Sequence, residues 1–198
     1  SGKTINYSGE IFSLKNFSLL IKPPRDSIPI YLAAVNQKMV ELTWKIADGV
    51  IFYLRPKNEI KSTLARMQNE KKIDTALQII TSVNEDSEKA MTRAKKTLAF
   101  YISVGKIYRK FLASNGFENE TKNIFEEYEK NGLQNNHELV PDSMVNELCI
   151  AGTSDECRIQ LKQFRETGID LPIIQFNPID NVVDSFDLLT STFSEKYN

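Results

Sequence analysis

An α/β fold with a parallel sheet is the architecture this 198-residue chain predicts, on three observations. Four short apolar runs, at residues 29–34, 50–54, 76–83 and 171–176, lack polar alternation, as strands buried on both faces do. Segments of helical periodicity separate them, and parallel strands can only be joined by such crossovers. Turn and cap residues, Asp48-Gly49, Asn84-Glu85-Asp86 and Thr167-Gly168, stand where one kind of element should give way to the other.

Residues 1–28 hold Gly2, Gly9 and Pro23-Pro24 around two apolar patches, 10–14 and 17–21, and read as an extended arm or small hairpin. The proline doublet bars a helix there. Because the chain opens on Ser1-Gly2 and not on methionine, a tag remnant or a start further upstream is expected. The stretch 29–54, PIYLAAVNQKMVELTWKIADGVIFYL, supplies a strand, a helix over 37–47 and a second strand. A helix from about 58 to 69 then sets Ile60, Leu64 and Met67 on one face, and the β-branched run 76–83 is the third strand. Residues 29–86 therefore form a βαβαβ unit.

A helical tract fills residues 87–168. Ala90, Met91, Ala94, Leu98, Tyr101, Ile102 and Ile107 keep helical spacing over 87–113, with Gly105 as a kink or break. Ser114-Asn115-Gly116 ends that helix, Gly132 closes the next over 117–131, and Pro141 fits the first turn of one running to about 149. Thr153 and Glu156 form a capping box that opens a helix to 167. The last strand, 171–176, tolerates Pro172 near its start, and 184–196 reads as an amphipathic helix. One domain over 1–198 is the expected organisation.

Composition narrows the function. The chain carries 25 Lys and Arg against 26 Asp and Glu, so no global charge argument favours nucleic acid or an anionic membrane. No apolar stretch approaches the roughly 18 residues that span a bilayer, and a cytoplasmic location is expected. Cys149, Cys157 and the single His137 give no disulfide framework, no metal-ligand spacing and almost nothing from which to build a Ser-His-Asp triad. Chemistry, if present, falls to a bound cofactor. Neither a Gly-x-Gly-x-x-Gly fingerprint nor a Walker sequence follows any strand.

In β/α folds the reactive groups gather at the carboxyl ends of the strands. Here those ends are residues 33–36, Arg55 with Asn58, residues 84–86, and Asn177 with Asp180. The first is the most informative. Ala33-Ala34 are small enough for close backbone approach, and a helix starting at Asn36-Gln37-Lys38 offers open amides, a positive dipole end and a lysine, which suits an anion such as a phosphate. The structural alternative is that the alanines pack beneath the helix and Lys38 is simply solvated.

The same stretch resembles the Pro-Ile-Tyr-x-Ala-Ala, Lys-Met-x-Glu-Leu and Ala-Asp-Gly-Val pattern of the luciferase-like monooxygenase superfamily. It is most similar there to the reductases that use the deazaflavin coenzyme F-420, of the methylenetetrahydromethanopterin reductase type. Residues 2–12, beginning Gly2-Lys3-Thr4, resemble the segment that precedes this strand in the family. Val140-Pro141-Asp142, residues 151–156 and Thr167-Gly168-Ile169 resemble its final helices.

The resemblance implies a partial TIM (β/α)8 barrel, strands five to eight plus a helical insertion, in which the first four strands are absent. It implies an oxidoreductase moving a hydride between coenzyme F-420, or alternatively FMN, and a small-molecule substrate. Matched onto this chain, the cofactor's phosphate side falls on Ala33, Ala34, Val35 and Asn36, with Lys38 nearby. Relatives often have Gly or Gly-Pro where this chain has Asn36-Gln37, a departure that makes the loop less permissive to a phosphate. Arg55 is added from its position at the next strand end, not from the motif. No catalytic residue is assigned.

Neither nucleic acid nor membrane is expected as a partner, whereas a homo-oligomer is, because an open sheet exposes two edges and one apolar face. A non-catalytic half-barrel that binds a cofactor or pairs with itself is the alternative function. Ala34→Glu is expected to abolish cofactor affinity and leave the fold intact.

Overall fold

The computed structural model describes residues 3–21, 24–25 and 27–194. Where the sequence reading draws one domain, the chain divides into two compact units, Ser1–Ile30 and Tyr31–Asn198. The first unit is a hairpin in which β1 (Ile5–Ser8) pairs antiparallel with β2 (Ser13–Phe17). Its strands are offset from the two apolar patches, and every residue in them is exposed. With no buried face to enforce alternation, the sequence carried little sign of the register. Gly2, Pro23 and the end of the expected last helix, 195–196, lie outside the described residues.

Among the described residues the second unit is built on five parallel strands. They are β3 (Tyr31–Ala33), β4 (Gly49–Tyr53), β5 (Asp74–Val83), β6 (Cys149–Gly152) and β7 (Leu171–Phe176). Ala76, Leu77 and Gln78 pair with β4 on one side and β7 on the other, while Ile80 and Thr81 pair with both β6 and β7. A strand residue has only two edges, so β4 and β6 share one edge of the long β5 in succession and β7 takes the opposite edge. The parallel α/β architecture is the one expected, and the sheet is open, not closed into a barrel.

Strand β6 is an addition to the four expected. Its four residues, Cys-Ile-Ala-Gly, follow directly on α6 (Asp142–Leu148) and are too short to show a period. Gly152, at φ 145°, ends it where a Cβ would come within 2.4 Å of the Glu156 carboxylate.

The helices keep close to their expected places. Helix α1 (Gln37–Ile46) buries Val40, Thr43 and Trp44 on one face, with the Asn36 side chain accepting from the Met39 N–H at 3.0 Å as its cap. It gives way to β4 at Gly49, which must lack a side chain because a Cβ would meet the Tyr31 ring at 2.3 Å. Helix α2 (Lys57–Met67) buries Ile60, Leu64 and Met67, the three residues of the expected stripe.

Helix α3 (Ser87–Val104) is broken at Gly105 from α4 (Lys106–Leu112), and a kink at Asn115 and Gly116 leads into α5 (Glu118–Asn131). Helix α7 (Ser154–Arg165) opens on the Thr153–Glu156 capping box. The last described helix, α8, covers Val182–Phe193.

Two apolar clusters result. Val50, Phe52, Leu77 and Ile79 on one face of the sheet pack with Val40 and Trp44 of α1, Ile60 and Leu64 of α2, Phe164 of α7 and Leu189 of α8. Leu54, Ile80 and Cys149 pack instead with Leu98 and Ile102 of α3, Leu112 of α4, Ile124 of α5 and Met144 of α6. Both cysteines are buried thiols, and burial pushes Cys157 up to about 12 and Cys149 in the same direction, so neither is a ready nucleophile.

Candidate functional site

The carboxyl ends of the strands form a rim, and each expected site residue can be placed on it. Ala33 is exposed at the end of β3. Ala34 is only 1% exposed, lies in the same cluster as Val40 and Trp44, and donates its N–H to the Ile51 carbonyl at 3.1 Å. It therefore offers a ligand neither its side chain nor its amide. The expectation that Ala34→Glu would spare the fold is corrected by this position, because a carboxylate would be driven into an apolar core.

Val35 and Arg55 come together. Strand β4 is followed by Leu54, a buried residue held at φ 49°, a left-handed backbone that costs a non-glycine residue about 1 kcal/mol. The following Arg55 is 3% exposed, and its Nη2 donates to the Val35 carbonyl at 2.7 Å. Its Nη1 pairs with Glu59, which also accepts from Thr63 Oγ1 at 2.7 Å. The guanidinium lies over the rings of Phe52 and Phe111, at 4.4 and 4.7 Å from their centroids. Burial works against its charge and Glu59 works for it, and paired burial of this kind is how a fold keeps an arginine ionised. Arg55 is thus a buried brace for the loop after β3, where sequence reasoning placed it on the pocket rim.

Beyond the brace, Asn36 spends its side chain on the Met39 amide. The first-turn amides of Gln37 and Lys38 lie outside the reach of that cap, as helix N-terminal donors do. Helix α1, like the short α4, has no acidic residue in its first turn, whereas α2, α3, α5, α6, α7 and α8 each have at least one. Lys38 is exposed beside these amides. The arrangement fits an anion held by two amides, a helix dipole and a lysine. A groove of about 340 Å³ between α1 and α2 touches this loop only through Gln37 and lies on the outer helices, not the strand ends.

At the other strand ends the residues bond mainly to one another. Asn84 accepts from the Asp86 amide at 2.9 Å, and Asp86 caps α3. Asn177, 5% exposed, donates to the carbonyls of Thr81 and Gln175 at 3.3 and 2.9 Å and accepts from Thr97 Oγ1 at 3.0 Å. Asp180 pairs with Lys89 across 3.6 Å at the surface.

Sequence reasoning missed a trio of tyrosines. Tyr53, at the end of β4, meets Tyr101 and Tyr108 edge to face, with centroids 5.1 and 5.5 Å away. The Tyr53 hydroxyl is buried with no hydrogen-bond partner among the described residues, and burial raises its pKa, with Tyr101 adding to the effect. Its place at the inward-facing end of a strand was the signal available. Among the described residues no cluster of His, Cys, Asp and Glu is fit to hold a metal, and no helix is long and apolar enough to cross a membrane.

Residues 1–171 match the luciferase-like monooxygenase family. In sequence the chain is 27% identical over 181 residues to the 5,10-methylenetetrahydromethanopterin reductase of Archaeoglobus fulgidus, covering 85% of this chain and 53% of that protein. To the reductase of the same name from Methanolobus tindarius it is 21% identical over 189 residues, covering 90% and 56%. The chain thus spans about half the length of the curated relatives it matches.

In structure it resembles the coenzyme F-420-dependent tetrahydromethanopterin reductase from Methanopyrus kandleri, with a TM-score of 0.79 at 18% identity over 100% of this chain and 59% of that one. An F-420-dependent secondary alcohol dehydrogenase in complex with an F-420–acetone adduct gives a TM-score of 0.65 at 20% identity, over 98% and 56%. These two likenesses establish the fold.

Proposed function

The chain belongs to the luciferase-like monooxygenase family, and on that premise we propose that it forms part of an oxidoreductase that moves a hydride between coenzyme F-420, or alternatively FMN, and a small organic substrate. The reading is carried by the N-terminus of α1, which has no acid in its first turn and presents Lys38 beside two uncapped amides. Both coenzymes carry a phosphate, and that is the group the first turn is suited to hold. Arg55 fixes the preceding carbonyl of Val35, so the amides stand in place before any ligand arrives. When bound, the deazaflavin or flavin ring supplies the hydride chemistry. The contribution of this chain is to seat and orient it.

Fluorescence titration with coenzyme F-420 and with FMN tests the reading, using the wild type and Lys38→Glu. The variant reverses an exposed charge and should fold normally while binding roughly tenfold or more weakly, the loss of a charge-assisted contact plus new repulsion. Equal affinity in both proteins would remove the phosphate seat from α1.

The second reading, a non-catalytic half-barrel that pairs with itself, is favoured by Leu171 and Ile173, 46% and 41% exposed on the part of the sheet's second face that the helices leave open. Sedimentation of the chain separates the two. A monomer at high micromolar concentration would end the pairing idea.

A further inference from the structure

A cleft of about 570 Å³ opens between α3 and the end of β7, and it shares no lining residue with the loop after β3. Its wall is one face of α3. Arg93, Lys96, Thr97, Phe100 and Tyr101 recur at the three- and four-residue spacing that stacks side chains along a helix. The adjoining face of α3, with Ala90, Ala94, Leu98 and Ile102, is buried in the core, as is Thr97 of the stripe itself, so the polar stripe is not a by-product of a wholly solvated helix. Gln175 and Asn177 from the end of β7 and Asn136 from the turn at Asn136–Leu139 complete the polar lining.

The charge in this cleft has one sign. Arg93 and Lys96 line it, and no aspartate or glutamate among the described residues does. Arg93 is held in position, donating through Nε to the Pro178 carbonyl at 3.0 Å and through Nη1 to Thr97 Oγ1 at 2.7 Å, which leaves Nη2 as the nitrogen for a ligand. Thr97 in turn donates to Asn177, and Asn136 donates to Ser103 Oγ at 2.8 Å. Both asparagines are buried, at 2% and 5% exposure, so the polar groups under the cleft cannot rearrange freely. Beside them Phe100 is 43% exposed and packs edge to face on Tyr101, centroids 5.4 Å apart. An exposed aromatic next to a fixed guanidinium offers a flat apolar surface and an anion donor together.

From this we propose that the cleft binds an organic anion, a carboxylate carried on a flat ring. The carboxylate meets Arg93 and Lys96, and the ring lies against Phe100. The inference does not depend on the cofactor reading, since it uses other residues and a ligand without a phosphate.

A ¹H–¹⁵N NMR titration of the chain with phthalate tests it, with phthalamide as a neutral probe of the same shape. Phthalate should shift the side-chain amides of Asn136, Asn177 and Gln175 and the α3 backbone saturably, and phthalamide should bind about tenfold more weakly. Lys96→Gln alters an exposed side chain and should fold normally, while weakening phthalate roughly three- to tenfold. Arg93→Gln, which also gives up two internal hydrogen bonds, should weaken it at least as much. Equal affinity for the two probes, shifts confined to residues 34–38, or an affinity unchanged by Lys96→Gln would each overturn the proposal.

Discussion

The two faces of the sheet differ in what covers them. On the face packed by α1, α2, α7 and α8, Val50, Phe52, Leu77 and Ile79 are at most 2% exposed. On the other, the residues that alternate with them include Tyr53, Gln78 and Gln175, partly exposed, and Leu171 and Ile173, 46% and 41% exposed. Register brings these into layers, with Ala33, Ile51, Ala76 and Leu171 in one and Tyr53, Gln78 and Ile173 in the next. A strand reads as continuously apolar when both of its faces need apolar residues. Here the first face is covered along its length, whereas α3 to α6 cover the second over Ile80 and Cys149 and leave its carboxamides, Leu171 and Ile173 partly open.

The largest expected effect tests that division directly. Phe52 is fully buried, stacks on Trp44 with centroids 6.4 Å apart and supports the Arg55 guanidinium. Phe52→Ala should cost about 3–5 kcal/mol in urea-unfolding experiments, a transfer loss plus a cavity. Ile173→Ala, on the opposite face of the same sheet, should cost less than about 1 kcal/mol, as partly solvated positions do. Comparable losses would mean that the second face is covered in solution, and would move the balance toward self-pairing.

An intermediate effect separates stability from binding at the rim, where the faces meet. Asn36→Ala removes the cap of α1 and should cost about 1 kcal/mol. Asn36→Asp keeps an acceptor for the Met39 amide and favours the helix dipole, so it should melt at or slightly above the wild type. Its new negative charge stands at the proposed phosphate seat and should weaken F-420 or FMN binding several-fold. If the Asn36→Asp variant binds as well as the wild type, α1 is left with a structural role alone.

How far these features were legible depends on what enforces them locally. The βαβαβ unit could be read from residues 29–86 because buried strands, cap residues and the Asp48-Gly49 turn are all local signals. The Thr153–Glu156 capping box was legible for the same reason. Strand β6 was not, since its pairing with residues 80–83 of β5 is set by contacts some 70 positions away in the chain. Ala34 and Arg55 show the same limit at the site. The sequence placed both at strand ends correctly, yet a small residue there can face the core or a ligand, and an arginine can meet a ligand or the fold's own carbonyl. Ala34 faces the core, and Arg55 meets Val35 and Glu59. Only packing decides between such alternatives.

The smallest expected effect concerns the tie between the two apolar clusters. Glu156 belongs to α7, which packs on the covered face, and its carboxylate accepts from the Thr153 amide at 2.7 Å, Thr153 Oγ1 at 3.0 Å and Ser87 Oγ of α3 at 2.9 Å. The backbone bond from Thr153, then the hydroxyls of Ser87 and Thr153, hold its pKa below the ordinary glutamate value. With the folded pKa depressed, the contribution is present above the unfolded value of about 4.3 and is lost as pH falls through the folded one. The group is almost fully exposed, so solvent screening keeps the contribution well under about 1 kcal/mol. Glu156→Gln retains an acceptor for the amide but has no proton to gain. The difference in stability between wild type and variant, measured by urea unfolding from pH 6 down to pH 3, should therefore shrink as the pH falls. A difference that stayed constant across that range would show that the carboxylate's charge does nothing to join α3 to α7.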